Sequence, residues 1–320
     1  MSMHFRQIAE QAAADRAITG EEILALRRAG WCDGTIQPDE AEAIFAINDQ
    51  LDETTPEWSD FFVEALGEFI VNGLEPRGYV DDGQGDWLMA RVSHDGKTDS
   101  LTELELLVRV FERAQSVPQR LRDYALDQVE RAVLTGAGPT RDGGALETGT
   151  VTAAEAKLMR RIIFASGSER PAAVSRHEAE LLYRIKDETV DNPGNAPEWQ
   201  RLFVQGVGNY LMGFASHEPL SGDRAVELEG FMNDHRSSVG GFFGRMAKAA
   251  LNENFYQSVG KTFGRKDAER RDIAAEVGKA TEVTANEQTW LEGRLHGDGR
   301  IDAFDQALLD FLAEESGLAR

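Results

Sequence analysis

Apolar residues recur at helical spacing along most of the chain, and no stretch alternates apolar and polar positions long enough to make a strand. Ile23, Leu24, Leu26 and Ala29 form the first clear apolar face. Thr19-Gly20-Glu21-Glu22 precedes it as a capping box, in which the hydroxyl takes a first-turn amide and the glutamate reaches back. Asp33-Gly34 predicts a turn, and Pro38 opens a second helix with Ile44, Phe45, Ile47 and Leu51 on its core face. Pro56 opens a third, with Trp58, Phe61, Phe62, Ala65, Leu66, Phe69 and Ile70 at helical spacing. Its aromatics read as core, where large rings dominate the energetics. A turn over 73–78 leads to a helix around Trp87, a turn at Asp95-Gly96, an apolar helix from Leu101 to Phe111 and another from about Pro118 to Leu134. The pattern predicts an all-α fold.

The pattern then repeats. Trp87 to Asp99 aligns without a gap on Trp290 to Asp302, sharing Trp, Leu, Arg, Asp, Gly and Asp. Val151-Thr152 with Glu155 matches Ile18-Thr19 with Glu22, Glu178-Ala179-Glu180 matches Glu40-Ala41-Glu42, and Pro197-Glu198-Trp199 matches Pro56-Glu57-Trp58. Anchors kept in this order imply a tandem duplication. The expected division is a first helical domain at 1–134, a Gly/Thr-rich linker at 135–150 and a second helical domain at 151–320. Gly67, Gly206 and Gly208 fall inside the Trp58 and Trp199 helices, where each costs about 1 kcal/mol against alanine, so close helix–helix approach is expected there.

The second copy carries an insertion at about 221–280. From Arg236 to Arg271 it holds eight Lys or Arg against three Asp or Glu, in a chain whose formal net charge is −22. Phe242, Phe243, Phe255, Tyr256 and Phe263 alternate there with Arg245, Lys248, Lys261 and Arg265. A basic amphipathic helix of this kind fits a protein partner's groove or an anionic membrane surface, and these nine residues are the candidate contacts.

Composition narrows the rest. The acidic balance argues against a nucleic-acid partner, because that affinity rests on Lys and Arg. Cys32 is the only cysteine, so neither an internal disulfide nor a cysteine-based zinc site is expected. The most apolar run, Phe61 to Val71, is short and broken by Glu64 and Glu68, so no transmembrane segment is expected. Residues 1–22 lack the apolar core of a signal peptide, and the expected location is cytoplasmic. There is no HExxH helix, Gly-x-Ser-x-Gly elbow, phosphate loop or dinucleotide fingerprint, so no catalytic residue is assigned.

The Asp-Gly turns between helices resemble the EF-hand family, whose twelve-residue loop places oxygen ligands at positions 1, 3, 5, 9 and 12 around a glycine at 6. With Gly299 at the sixth position, Asp298, Asp302 and Asp305 fall at ligand positions. With Gly34 there, Asp33 and Glu40 do. The resemblance covers about a tenth of the chain and implies calcium as the cofactor. The sequence departs from it at the first position, where Arg294, Arg91 and Ala29 stand. The same residues also read as metal-free helix caps, with Asp302 and Asp305, Ser100 and Glu103, and Ser175 and Glu178 as N-cap and third-position pairs. The functional expectation is a non-enzymatic binding or scaffolding protein that works through the insertion. The alternative is a calcium-responsive protein that uses the loop 294–305.

Overall fold

A computed structural model describes residues 3–30, 35–93, 98, 100–141, 148–165, 167, 174–212, 285–295 and 301–315. Among these, twelve α-helices carry the fold and no strand occurs. They are α1 (Met3–Asp15), α2 (Gly20–Gly30), α3 (Pro38–Asn48), α4 (Pro56–Glu68, continued by a π turn Phe69–Gly73), α5 (Asp82–Val92) and α6 (Leu101–Arg113), then α7 (Gln119–Thr135), α8 (Ala153–Ile163), α9 (Arg176–Thr189), α10 (Pro197–Leu211), α11 (Ala285–Leu295) and α12 (Ala303–Glu315).

Local chemistry sets the helix starts. Thr55 accepts the Trp58 amide at 3.2 Å, and Pro56 takes the first helical position, where its missing N–H costs nothing. Capping boxes form at Thr19, Asp81, Ser100, Thr152 and Ser175, as in the Glu155 amide donating to Thr152 Oγ1 while the Thr152 amide donates to Glu155. α7 ends on Gly136, whose left-handed φ of 72° glycine adopts without strain.

The helices pack in one order twice. α1 lies on α2 and α3, and α7 lies in the same way on α8 and α9. α4 receives α2, α3 and α6, while α10 receives α8, α9 and α12. The aromatic core follows suit. Phe45 stands edge-on to Phe62 at 5.4 Å and to Trp87 at 5.7 Å; Tyr183 stands edge-on to Phe203 at 5.0 Å and to Trp290 at 5.4 Å. Trp87 also meets Phe69, as Trp290 meets Tyr210. Trp58 and Trp199, offered as core by their spacing, are fully buried.

Two expectations are refined. The segment from Thr135 to Arg141 is no free tether, because Arg141 is buried and binds Glu155 through Nη2 at 3.0 Å and the Thr150 carbonyl at 2.6 Å. α7, placed by the sequence at the close of the first half, packs on α8 and α9 as well as on α5 and α6. One buried cluster accordingly runs through both halves. Gly167 marks how closely they meet. Its amide donates to the Phe111 carbonyl at 3.0 Å, and a β-carbon there would lie 2.8 Å from that oxygen.

Candidate functional site

The site builds up around the last turn of α9, which carries Lys186 near the negative end of the helix dipole. Lys186 is buried, and its Nζ donates to Asp302 Oδ2 at 2.7 Å and to Asp305 Oδ1 at 3.2 Å. Asp187 Oδ1 lies 3.1 Å from the same nitrogen. Asp302 is the N-cap of α12: its Oδ1 accepts the amides of Phe304 at 2.7 Å and Asp305 at 2.9 Å. The Asp302 amide in turn donates to Asp305 Oδ2 at 3.4 Å. The pair predicted as a cap therefore closes as a cap, and its outward oxygens are taken by an ammonium that the sequence reading did not connect to it.

Aromatic rings wall the cluster. The Lys186 ammonium sits 5.3 Å from the Tyr183 ring centre, and the Arg294 guanidinium lies 5.7 Å from Tyr183 and 5.9 Å from Trp290. The Tyr183 hydroxyl is buried with no hydrogen-bond partner among the described residues. Burial, with the charges of Asp305, Asp187 and Asp302, pushes its pKa far up and keeps it neutral. Burial opposes the Lys186 charge, but its hydrogen bonds to Asp302 and Asp187 and the charge of Asp305 prevail and hold the amine above the ordinary lysine value. Burial also opposes the Asp302 charge; the Lys186 hydrogen bond and the amides outweigh it and hold this carboxyl below its usual range. Burial pushes Asp305 up, against the pull of Lys186. One cation thus serves three carboxylates, and the two in the α12 cap differ in acidity.

The first half has a neutral counterpart. Asn48, at the end of α3, donates to Glu103 Oε1 at 3.4 Å and accepts from Trp58 Nε1 at 3.1 Å. Glu103 caps α6 with Ser100, as Asp305 caps α12 with Asp302. The two caps stand one residue out of step with the gapless Trp87/Trp290 alignment, since α6 begins after Ser100 and α12 after Asp302.

The sequence-predicted residues divide as follows. Asp302 and Asp305 come together. Glu40 is buried far from them, where its carboxylate accepts the Gln37 amide at 3.1 Å at the start of α3. Asp33, Asp298 and Cys32 lie outside the described residues, as do the nine candidate contacts Phe242, Phe243, Arg245, Lys248, Phe255, Tyr256, Lys261, Phe263 and Arg265. No group of three metal-ligating side chains arranged to hold an ion occurs among the described residues. Calcium does not fit the Asp302 and Asp305 oxygens while the Lys186 ammonium holds them, because the two cations repel at this distance. No helix among the described residues is long and apolar enough to cross a membrane.

Comparison of the chain with protein-family models, curated proteins and solved structures gives no match.

Proposed function

We propose that the protein is a non-enzymatic binding or scaffolding protein whose basic, aromatic segment at about 221–280 is its contact element. The observation that carries this reading is the place where the segment joins the frame. In the first half only eight residues, Leu74 to Asp81, separate the π turn from α5; in the second half residues 212–284 separate α10 from α11. Even so, α12 packs on α10 as α6 packs on α4. The described helices thus keep one contact pattern in both halves although the second carries this long insertion, which supports reading the segment as an addition that serves a partner or an anionic surface. The excess of Lys and Arg between Arg236 and Arg271 supports such a surface, where each basic residue contributes about 1 kcal/mol.

The test is co-sedimentation of the full chain, and of a chain lacking residues 240–265, with vesicles containing phosphatidylserine and with neutral vesicles. The expected result is salt-sensitive binding to the acidic vesicles that the deletion abolishes without lowering the melting temperature. Unchanged binding, or loss of helix content on deletion, overturns the reading. A calcium-responsive protein acting through 294–305 is the alternative, and Lys186 stands in its way. Saturable calcium binding to metal-stripped protein, lost in an Asp298→Ala/Asp305→Ala variant, would put that alternative first.

A further inference from the structure

The groove between α2 and α4 and the groove between α8 and α10 occupy matching places in the two halves; Arg27 and Glu57 of the first recur as Arg160 and Glu198 in the second, but the balance of charge around them differs. The first has a volume of about 610 Å³ and is lined by Glu21, Leu24, Glu57 and Asp60 among others. Leu24 is 53% exposed, one of only a few large apolar side chains so open among the described residues. The second groove, about 430 Å³, is lined by Ala153, Ala156, Lys157, Glu198, Arg201 and Leu202 among others. Aligned on Thr19/Thr152 and Pro56/Pro197, Lys157 stands where the first half has Leu24, Arg201 where it has Asp60, and Gln205 where it has Glu64. Ala156 replaces Ile23, which hollows the floor of the second groove down to the buried Leu202. Glu21, Glu57 and Asp60 make no ion pair among the described residues, and neither do Lys157 and Arg201.

We infer that the protein binds further copies of itself head to tail, with Leu24 of one copy seated in the α8–α10 hollow of the next. Glu21, Glu57 and Asp60 surround that leucine with negative charge and face Lys157 and Arg201, which rim the hollow. An exposed apolar knob and a hollow at a different place on the same chain make a heterologous contact, which joins unlike faces of successive copies. The paired charges fix its orientation and speed the encounter, while the leucine supplies the buried apolar contact. This inference is independent of the 221–280 segment, since every residue it uses lies in the helical frame.

Velocity sedimentation of the full chain tests it. Concentration-dependent association is expected at low salt, weakening at about 0.5 M salt, where exposed charges more than a few ångströms apart are screened. Leu24→Asp and Arg201→Glu each change an exposed side chain, so both variants should keep the wild-type melting temperature. Each alone should associate about tenfold more weakly or not at all. Mixed in equal amounts they should form a mixed dimer, because the first variant keeps an intact basic hollow and the second keeps an intact leucine knob. A wild-type chain that stays monomeric at every concentration and salt overturns the inference. So does association that both variants retain, or a mixture that shows none.

Discussion

The residues that tie this molecule together are the acids at the third position of its helix starts. Each was legible as half of a capping box, and four of them do a second job. Glu103 binds Asn48, Asp305 binds Lys186, Glu155 binds Arg141 and Glu178 binds Arg122. A carboxylate has two oxygens, so one can serve its own helix while the other reaches across to a neighbour. Lys186 is the most exacting case because one buried ammonium meets three acids. Lys186→Met should cost about 3–5 kcal/mol in urea unfolding at neutral pH, since it leaves buried carboxylates without a partner. Lys186→Met/Asp305→Asn should recover part of that loss. The pH dependence follows from the raised amine. Folding holds the Lys186 proton more tightly than the unfolded chain does, so its contribution is complete below about pH 10.4 and is lost as pH rises above it. Wild-type stability should therefore fall above that pH more steeply than that of the Lys186→Met variant, as read by unfolding titrations across the alkaline range.

At the scale of elements, the helix α10 shows why its glycines are there. A β-carbon at Gly206 would lie 2.5 Å from Leu182 Cδ1, and one at Gly208 would lie 2.5 Å from Phe311 Cε1. The helical spacing of the sequence marked both residues as costly, and the structure supplies the return: α9 and α12 approach α10 at those points. Gly208→Ala gains about 1 kcal/mol of helix propensity but must push the Phe311 ring aside, an overpacking cost of about 1–3 kcal/mol. The expected net result is a lower melting temperature. Gly20→Ala, where nothing lies within 4 Å, is the control and should stabilise by about 0.4–1 kcal/mol. The Asp-Gly pairs expected as turns lie outside the described residues. Which helices would pack on one another was not legible, because a turn fixes the direction of the chain only for a few residues.

At the scale of the whole molecule, α6 and α7 form the seam against α8 and α9. Arg161 Nε and Nη2 bind Glu112 at 2.7 and 3.1 Å, and Nη1 binds Glu105 at 2.7 Å; together these raise the arginine's pKa further. Arg184 grips Glu130 with two hydrogen bonds, and Arg122 reaches Glu178 at 3.0 Å with both side chains buried. Burial raises the Glu178 pKa against the pull of Arg122. Arg122→Met should therefore cost about 3–5 kcal/mol at neutral pH. Without the arginine, the folded state binds the Glu178 proton more tightly than the unfolded chain, so the deficit should grow as pH rises above about 4.3. Glu178→Gln placed beside Arg122→Met keeps the cap and removes the stranded charge, and should restore most of the loss. Unfolding midpoints of the two variants between pH 4 and 8 check both statements.

The sequence by itself determined the all-α class, most helix starts and the buried tryptophans. Each of these rests on residues close along the chain: a cap and its third position, a proline and its helix, an apolar face at 3.6-residue spacing. The tertiary structure alone decided that α7 repeats the packing of α1, that Thr135–Arg141 is anchored, and that Lys186 meets Asp302 and Asp305. Those contacts join side chains far apart in sequence, 116 residues in the case of Lys186 and Asp302. Local spacing carries no signal at that range, because which surfaces meet depends on how every helix between them packs.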